Sequence, residues 1–548
     1  MTDDGARRGA ALMASGTAVS RMLGLLRAMV MASAIGATGQ AADAFSVANN
    51  LPNVLYMLLA GGVLNAILVP QVVRAYKRRT GQEYVDRLLT FGFAVLAGAT
   101  VVLTLLSPVL IGLYSNFGNP TQDALATTFA YWCIPQLFFY GVYALLGQVL
   151  NARGSFGPYM WAPVVNNVVA IVGFGVFIAV FGTWETSGVV DAATWTPGQV
   201  ALLAGSATLG VIAQAVVLIP ALRRAGVHYR PRWGLRGSGL RTAGGVATWT
   251  LAGLAVGQLG FLVVTRVASA APDAAAADGV PAADVAGPGA YTIAFLIFML
   301  PHSLVTVSLA TALFTRLSSQ AHDADVAGVR STLSSGLRVI GVFTVFATAA
   351  IVVLALPLTR VILVTASEGS ADAVAPVVVA MVLGLPAFGA WSMFQRAYYA
   401  YEDARSMVPI QVVMAAVVVL GAWASQMLVR PTLWVAGAGA AMTVSYVVGA
   451  GIAQWRLRRR LGGIDGSRVL RVIARATLAA VVSGAVGFGV LLLLRLWLST
   501  GFTASVVQCA VVGTVMALVY VAVLRLLRVR ELDDLLLPAI RRLRGGRR

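Results

Sequence analysis

Long apolar runs, each about the length of one membrane crossing, recur along almost the whole chain of 548 residues. A helix needs about 20 mostly apolar residues to cross a bilayer, and 59% of this chain is apolar while only 11% is charged. Soluble proteins carry about 25% charged residues, so this composition excludes an ordinary soluble domain. The runs number fourteen, at residues 9–35, 45–73, 88–113, 124–150, 158–181, 199–222, 242–269, 290–317, 333–364, 373–401, 407–428, 433–455, 472–497 and 502–524. We therefore predict an all-α polytopic membrane protein with 14 transmembrane helices.

Basic residues are concentrated in alternate loops between these runs. Of the 40 Lys and Arg residues, 33 fall on the side of the N-terminus, and cytoplasmic loops are the ones enriched in such residues. The main basic segments are 74–87, 223–241, 456–475 and 525–548. Segments 183–197 and 270–289, on the opposite side, contain neither Lys nor Arg. This distribution predicts an even number of spans with both termini in the cytoplasm.

The net charge of +19 has the same explanation. Basic residues beside a membrane attract anionic lipid headgroups, at about 1 kcal/mol each near the surface. We therefore expect anionic membrane lipids as partners and no nucleic acid.

Proline positions recur with an offset of about 250 residues. Pro135 and Pro158 are 23 residues apart at spans 4 and 5, and Pro386 and Pro409 are 23 residues apart at spans 10 and 11. An offset of six spans keeps the orientation, so the pattern predicts two parallel six-helix repeats followed by two extra helices. The alternative is a chance match between apolar segments that contain proline.

The repeat divides the chain into an N-lobe at 1–225, a C-lobe at 226–460 and two further helices at 461–530. Residues 531–548 combine leucine and isoleucine with arginine, a pattern typical of a basic amphipathic segment on the inner leaflet. Residues 271–289 are rich in Ala, Asp, Pro and Gly. This composition predicts a flexible external loop between spans 7 and 8.

Two arginines occupy the middle of the first span. Charges in the hydrocarbon region cost about 2.5–3.5 kcal/mol each on insertion scales, so Arg21 and Arg27 are candidate substrate-binding residues. Six residues along a helix correspond to about 9 Å of rise and about 120° of rotation, which places the two side chains at two depths of one cavity wall. Either a buried carboxylate neutralises them, with Asp43 at the start of span 2 the nearest, or the compensating anion is the cargo or a lipid phosphate.

Polar residues on span 2 support a cavity beside span 1. Asn50, Asn53 and Tyr56 recur at three-residue intervals on a helix bent by Pro52, whose freed backbone groups need protein or cavity water as partners. Asn50 and Asn53 are therefore candidate substrate-binding residues. Further amides on spans 5 and 7 either add donors to the cavity or link helices. They are Asn166, Asn167 and Gln258.

The sequence has no pattern typical of an enzyme. His228 and His322 lie in loops and His302 stands alone in span 8, so no pair has metal-ligand spacing. The sequence contains neither a nucleophile elbow nor a phosphate-binding glycine loop. We therefore predict a transporter and not an enzyme, without a metal or cofactor, driven by a gradient, by membrane potential or passively.

Four short segments in the first two spans carry a family resemblance. They are SRMLGLLR at 20–27, ADAF at 42–45, LPN at 51–53 and VP at 69–70. These segments resemble the start of the MurJ (MviN) family of lipid II flippases, in its actinobacterial type, and the resemblance extends over all fourteen spans in number and spacing. That family belongs to the multidrug/oligosaccharidyl-lipid/polysaccharide exporter superfamily.

The resemblance implies a protein of the bacterial cytoplasmic membrane. Such a protein flips lipid II, the undecaprenyl-diphosphate-linked peptidoglycan precursor, to the outer leaflet by alternating access. The resemblance also implies a cationic cavity between two lobes, a lipid-tail groove on spans 13 and 14, and cell-wall synthesis proteins as candidate partners.

The resemblance assigns roles to individual residues. Arg21 and Arg27 match the family's cavity arginines, and Asp43 matches its acidic residue near the gate. The chain departs from the family at three positions that often carry charge there. They are Tyr56, Gly61 and Leu296. Arg266, near the outer end of span 7, is our candidate for the missing substrate-binding cation.

Other functions share parts of this pattern. A flippase for another polyprenyl-diphosphate-linked glycan would have the same fold and the same arginines. A drug or cation antiporter of the superfamily would need a buried carboxylate to exchange protons or sodium. A membrane scaffold or a lipid-modifying enzyme would leave Arg21 and Arg27 unexplained.

Overall fold

The computed structural model describes residues 3–59, 82–186, 189, 191–234, 244–364, 368–498, 501–529 and 531. All regular structure within these ranges is helical, which confirms the all-α prediction. The chain divides into two compact units, Met1–Gly289 and Ala290–Val364 with Glu368–Arg548. Gly61, the basic residues at 74–79 and the tail at 532–548 lie outside the described ranges.

The first unit holds the helices of spans 1 to 7. They are α1 (Asp3–Ile35), α2 (Gln40–Leu59), α3 (Gln82–Leu105), α4 (Ser107–Tyr114), α5 (Pro120–Cys133), α6 (Gln136–Ala152), α7 (Gly157–Phe181), α8 (Pro197–Val216), α9 (Leu218–Arg224) and α10 (Gly244–Ala277). The repeat assigns span 7 to the C-lobe, whereas α10 belongs to the first compact unit.

The second unit holds the helices of spans 8 to 14. They are α11 (Pro288–Pro301, whose first two residues belong to the first unit), a π-helical turn (His302–Thr306), α12 (Val307–His322), α13 (Val326–Ile362), α14 (Glu368–Val382), α15 (Leu385–Ala400), α16 (Val408–Leu428), α17 (Trp434–Leu461), α18 (Gly466–Trp497) and α19 (Phe502–Leu526).

The span count agrees with the hydropathy pattern. Twelve helical segments of the described residues are long and apolar enough to cross a membrane, and the bent pair α14 and α15 makes thirteen. The remaining predicted run, 45–73, coincides with α2, which is described as far as Leu59. Within the described residues, each of the fourteen predicted runs therefore corresponds to helix.

Spans 4 and 10 are each broken near a proline, at matching positions of the predicted repeat. The break in span 4 separates α5 from α6 at Pro135, and the break in span 10 separates α14 from α15 just before Pro386, with a bend of 44°. Proline lacks the N–H that would bond to the carbonyl four residues earlier. Each break therefore leaves backbone oxygens that need another donor inside the membrane.

Threonine hydroxyls from a neighbouring span supply such a donor in both units. Thr208 of α8, in span 6, donates to the Trp132 carbonyl at 2.7 Å. Thr443 of α17, in span 12, donates to the Ala380 carbonyl at 2.7 Å. Because spans 6 and 12 also correspond in the repeat, these bonds support the two-repeat architecture.

The second unit has one further bond of this kind. Thr348 of α13 donates to the Val382 carbonyl at 3.1 Å. Val382 lies four residues before Pro386, so this hydroxyl replaces the missing proline N–H. We call Thr208, Thr348 and Thr443 the threonine braces.

The connection predicted at 271–289 is shorter in the structure, where residues 278–287 join the two helices. Helix α10 continues to Ala277, and Ala271, Ala275, Val285 and Ala286 are buried. Alanine is the strongest helix former, and its small side chain allows close packing. The run of alanines therefore extends the helix past the predicted end of span 7.

The last two helices pack against α13 in the second unit. The Tyr520 hydroxyl donates to the Val342 carbonyl at 2.7 Å. Glu531, the first residue of the predicted tail, pairs with Arg338 at 3.2 Å, and both side chains are about nine-tenths buried. The start of the tail is thereby attached to α13.

Thr443→Val is expected to lower the free energy of unfolding by about 0.6–1.7 kcal/mol, the range for interhelical hydrogen bonds in membranes. Thermal unfolding of the purified protein in detergent measures this loss. Thr514→Val is the matched control, because the Thr514 hydroxyl bonds to the Ala510 carbonyl of its own helix. Equal losses in the two variants would contradict the bracing role.

Candidate functional site

Arg21 and Arg27 both lie on α1, and both are half-buried. No carboxylate of the described residues lies within ion-pair distance of either guanidinium. The nearest candidate by sequence, Asp43, is engaged elsewhere through its Oδ1. The charges of the two arginines are therefore not neutralised by any acidic side chain of the described residues.

Arg27 has an aromatic surrounding. Its Cζ lies 5.9 Å from the centre of the Phe174 ring on α7, and Tyr140 and Cys133 are close enough to interact with its charge. A guanidinium over an aromatic face is attracted by the ring quadrupole. This contact orients the side chain but does not neutralise its charge.

A polar network lies beside Arg27 and connects α2, α6 and α8. Gln136, the first residue of α6, donates to Asn49 Oδ1 at 3.3 Å and to the Thr208 hydroxyl at 3.0 Å. The Tyr140 hydroxyl donates to Gln136 Oε1 at 3.4 Å, and the rings of Tyr140 and Tyr56 are 5.8 Å apart. Sequence reasoning missed Gln136 and Tyr140, although a glutamine directly after the Pro135 break was a usable signal.

The predicted amides on span 2 differ in environment. Asn50 is half-buried and donates to the Ser46 hydroxyl at 3.5 Å. Asn53 is exposed on the surface of the first unit, as is Met57. The side of α2 that carries Asn53 is therefore accessible to solvent, lipid or a bound substrate.

The other amides link helices. Asn166 of α7 donates to Gln214 Oε1 at 2.8 Å, and Asn167 donates to the Ser20 carbonyl at 2.8 Å. The second bond attaches α1 to α7 directly beside Arg21. Gln258 contacts the Met57 sulfur at 3.8 Å.

The side chain of Arg266, on α10, contacts the carboxyl end of α4. One terminal nitrogen of its guanidinium donates to the carbonyls of Gly112, Leu113 and Ser115 at 2.8, 3.0 and 3.1 Å. Carbonyls at the end of a helix lack the N–H donors that a further helical turn would supply. A cation at this position also interacts favourably with the helix dipole. The structure thus gives Arg266 a helix-capping contact, and its role toward a substrate stays a prediction.

Asp43 is fully buried and joins the start of α2 to the first turn of α11. Its Oδ1 accepts from the Gly289 N–H at 2.8 Å, and its Oδ2 has no hydrogen-bond partner in the part of the chain that the structure describes. The hydroxyls of Thr38 and Ser46 donate to the carbonyls of Ala283 and Pro288. We call these three bonds the α2 clasp.

Glycine is required at two positions of the α2 clasp. A Cβ at Gly287 would lie 2.2 Å from Asp43 Oδ2, and one at Gly289 would lie 2.6 Å from the Ala37 carbonyl oxygen. Such distances are far below van der Waals contact. The close approach therefore depends on the absence of side chains at both positions.

The fold is that of a known class of membrane transporter. A solved structure described as lipid II flippase MurJ in an inward closed conformation superposes with a TM-score of 0.69 at 17% identity, covering 94% of this chain and 99% of that one. An inward-facing multidrug resistance MATE family transporter of the MOP superfamily superposes with a TM-score of 0.62 at 15% identity, covering 81% and 94%. The chain therefore has the fold of MOP-superfamily transporters.

Sequence comparison identifies the family. The family model described as lipid II flippase MurJ matches residues 31–511, so the chain belongs to the MurJ family. A probable lipid II flippase MurJ from Synechocystis sp. is 25% identical over 542 residues, which is 96% of this chain and 95% of that protein. One from Vibrio cholerae is 26% identical over 412 residues, which is 72% of each chain. Another, from Haemophilus influenzae, is 30% identical over 266 residues, which is 46% of this chain and about half, 49%, of that protein.

Gly287→Ala is expected to open the α2 clasp, because its Cβ would displace the Asp43 carboxyl group. Overpacking of this kind costs about 1–3 kcal/mol, which thermal unfolding detects. Gly257→Ala is the control, since a Cβ there meets no atom within 4 Å. A Gly287→Ala protein as stable as Gly257→Ala would contradict the described clasp.

Proposed function

We propose that this chain flips lipid II from the inner to the outer leaflet of the bacterial cytoplasmic membrane by alternating access, with Arg21 and Arg27 binding the diphosphate. Membership of the MurJ family supports lipid II as the cargo. The observation that carries the site is that neither arginine has a carboxylate partner among the described residues. In this proposal both termini lie in the cytoplasm.

Guanidinium groups suit a diphosphate for physical reasons. They form paired, charge-assisted hydrogen bonds with phosphate oxygens and stay ionised under all physiological conditions. A buried cation without a partner is costly, so binding of an anion also removes an existing penalty. Because no carboxylate of the described ranges pairs with Arg21 or Arg27, an anionic cargo would supply the missing countercharge.

The depths of the two arginines fit a long headgroup. The two guanidinium groups are separated by about 9 Å along the helix. As the headgroup moves through the cavity, the diphosphate can therefore be contacted first by one arginine and then by the other. The Asn167 bond to the Ser20 carbonyl fixes α1 beside Arg21, and the Phe174 ring orients Arg27. Asn50 and Asn53 supply amide groups for the sugars or peptide of the headgroup.

Asp43 has the proposed role of a gate residue. Exposure of a headgroup on the outer side requires the external ends of helices to separate, and the α2 clasp joins two such ends. Arg266 is proposed to contact cargo through guanidinium N–H groups other than those bonded to α4. Its capping bonds would then hold it in position.

Another polyprenyl-diphosphate-linked glycan is the alternative cargo. The arginines recognise the diphosphate, which such lipids share, and not the glycan. The proposed cargo therefore rests on the family and not on the arginines alone.

Arg21→Ala combined with Arg27→Ala is expected to abolish growth rescue in a bacterium depleted of its resident lipid II flippase, while the parent chain restores growth and outer-leaflet lipid II. The loss follows from removal of both diphosphate contacts. Arg430→Ala, in a short loop, is the control for loss of a cation at equal expression. Rescue by the double variant would refute the site, and failure of a well-expressed parent would shift the cargo to another glycan lipid.

Arg266→Ala and Arg266→Lys separate a capping role from a cargo role. Loss of hydrogen bonds from a charged donor is expected to lower stability by about 1.5–3 kcal/mol in the alanine variant. If Arg266 also binds cargo, flipping per folded molecule falls in Arg266→Ala and partly returns in Arg266→Lys. Unchanged flipping per folded molecule would leave Arg266 as a structural residue.

A further inference from the structure

The second unit contains a cavity of about 670 Å³ between α13, α14 and α17. This volume lies within the range of about 300–1,000 Å³ typical of small-molecule sites. The cavity sits beside the break in span 10, since Ala380 and Thr443 line it and bond to each other there. It does not involve α18 or α19, where the family resemblance places a lipid-tail groove.

The walls of the cavity are mostly apolar and partly exposed. Among the described residues, its polar lining consists of Asp372 and Thr443, and the Thr443 hydroxyl is already bonded to the Ala380 carbonyl. Leu383 and Val444 line the cavity and are 55% and 50% exposed. Because these residues lie within membrane-crossing helices, the space is open to hydrocarbon and suits a lipid chain.

Charged groups lie at one end of the cavity. Arg360 follows the lining residue Leu356 by one turn of α13, and residues four apart share a helix face. Its guanidinium lies 3.8 Å from the Glu368 carboxylate, and Asp372 lies one turn further along α14. We call Arg360, Glu368 and Asp372 the cavity mouth, which the charge pattern predicts to be external.

A backbone carbonyl adds a further acceptor at the cavity mouth. Pro376 lies inside α14 and has no N–H to donate to the Asp372 carbonyl four residues earlier. The cavity mouth thus contains one guanidinium, two carboxylates and a backbone carbonyl that lacks its helical N–H donor. An ammonium group, which has three N–H donors, matches these acceptors, and a phosphate matches Arg360.

We propose that this cavity binds a phospholipid with a primary-ammonium headgroup, with one acyl chain in the cavity, the ammonium on Glu368 and Asp372, and the phosphate near Arg360. Phosphatidylethanolamine has this chemistry. An anionic lipid would face two carboxylates, and a trimethylated ammonium would lack N–H donors. The diphosphate of lipid II brings no ammonium to pair with Glu368 and Asp372, so the proposal does not depend on the proposed function.

Native mass spectrometry of the delipidated, full-length protein with defined lipids tests the site. The parent chain is expected to retain one phosphatidylethanolamine with an affinity about tenfold or more above that for phosphatidylcholine or phosphatidylglycerol, since charge-assisted hydrogen bonds are worth about 1.5–3 kcal/mol. Glu368→Gln with Asp372→Asn is expected to remove that preference. Glu402→Gln, at an exposed carboxylate remote from the cavity in sequence, is expected to keep it.

Filling the cavity separates the acyl-chain site from headgroup contacts. Ala440→Trp is expected to lower retention of phosphatidylethanolamine about tenfold or more, whereas Val412→Trp, on the exposed face of α16, is expected to leave it unchanged. Equal binding of the three lipids by the parent, or undiminished phosphatidylethanolamine binding by both the charge variant and Ala440→Trp, would overturn the proposal. Neither measurement uses lipid II flipping. Failure of the phosphatidylethanolamine proposal would therefore leave the flippase proposal standing.

Discussion

Satisfaction of backbone polar groups inside hydrocarbon is the constraint on which this structure depends. A soluble protein can interrupt a helix and leave its carbonyls to water, whereas a membrane protein must supply a donor from within. This chain interrupts spans 4 and 10, and the threonine braces Thr208, Thr348 and Thr443 supply the donors. The breaks are therefore integrated into the packing, because each one is joined to a neighbouring span.

The same requirement separates the arginines by role. Arg266 donates to carbonyls at the end of α4, and Arg338 pairs with Glu531. Each of these cations has acceptors provided by its own unit. Arg21 and Arg27 have no carboxylate within ion-pair distance among the described residues. This contrast, more than their presence in a span, supports the proposal that they bind cargo.

Hydropathy and charge were sufficient to predict the helical fold and the positions of the spans, because the cost of a polar group in hydrocarbon acts on every residue of a crossing helix. The end of α10 was mispredicted, since its alanines and aspartates suit a loop by composition but a packed helix by propensity. The Arg266 contact with α4 and the network around Gln136 join residues far apart in the sequence. Periodicity along one helix carries no information about such pairs, so they required the three-dimensional structure.

The buried pair Arg338–Glu531 has a consequence for how the chain can be shortened. The charges of two such groups cost several kcal/mol to remove from water, and loss of one partner typically costs about 3–5 kcal/mol because the other is left buried and unpaired. A truncation that removes Glu531 would therefore destabilise α13 and the helices packed on it, although residue 531 belongs by sequence to the tail. The folded domain therefore extends at least to Glu531, several residues beyond the end of the last membrane helix at Leu526.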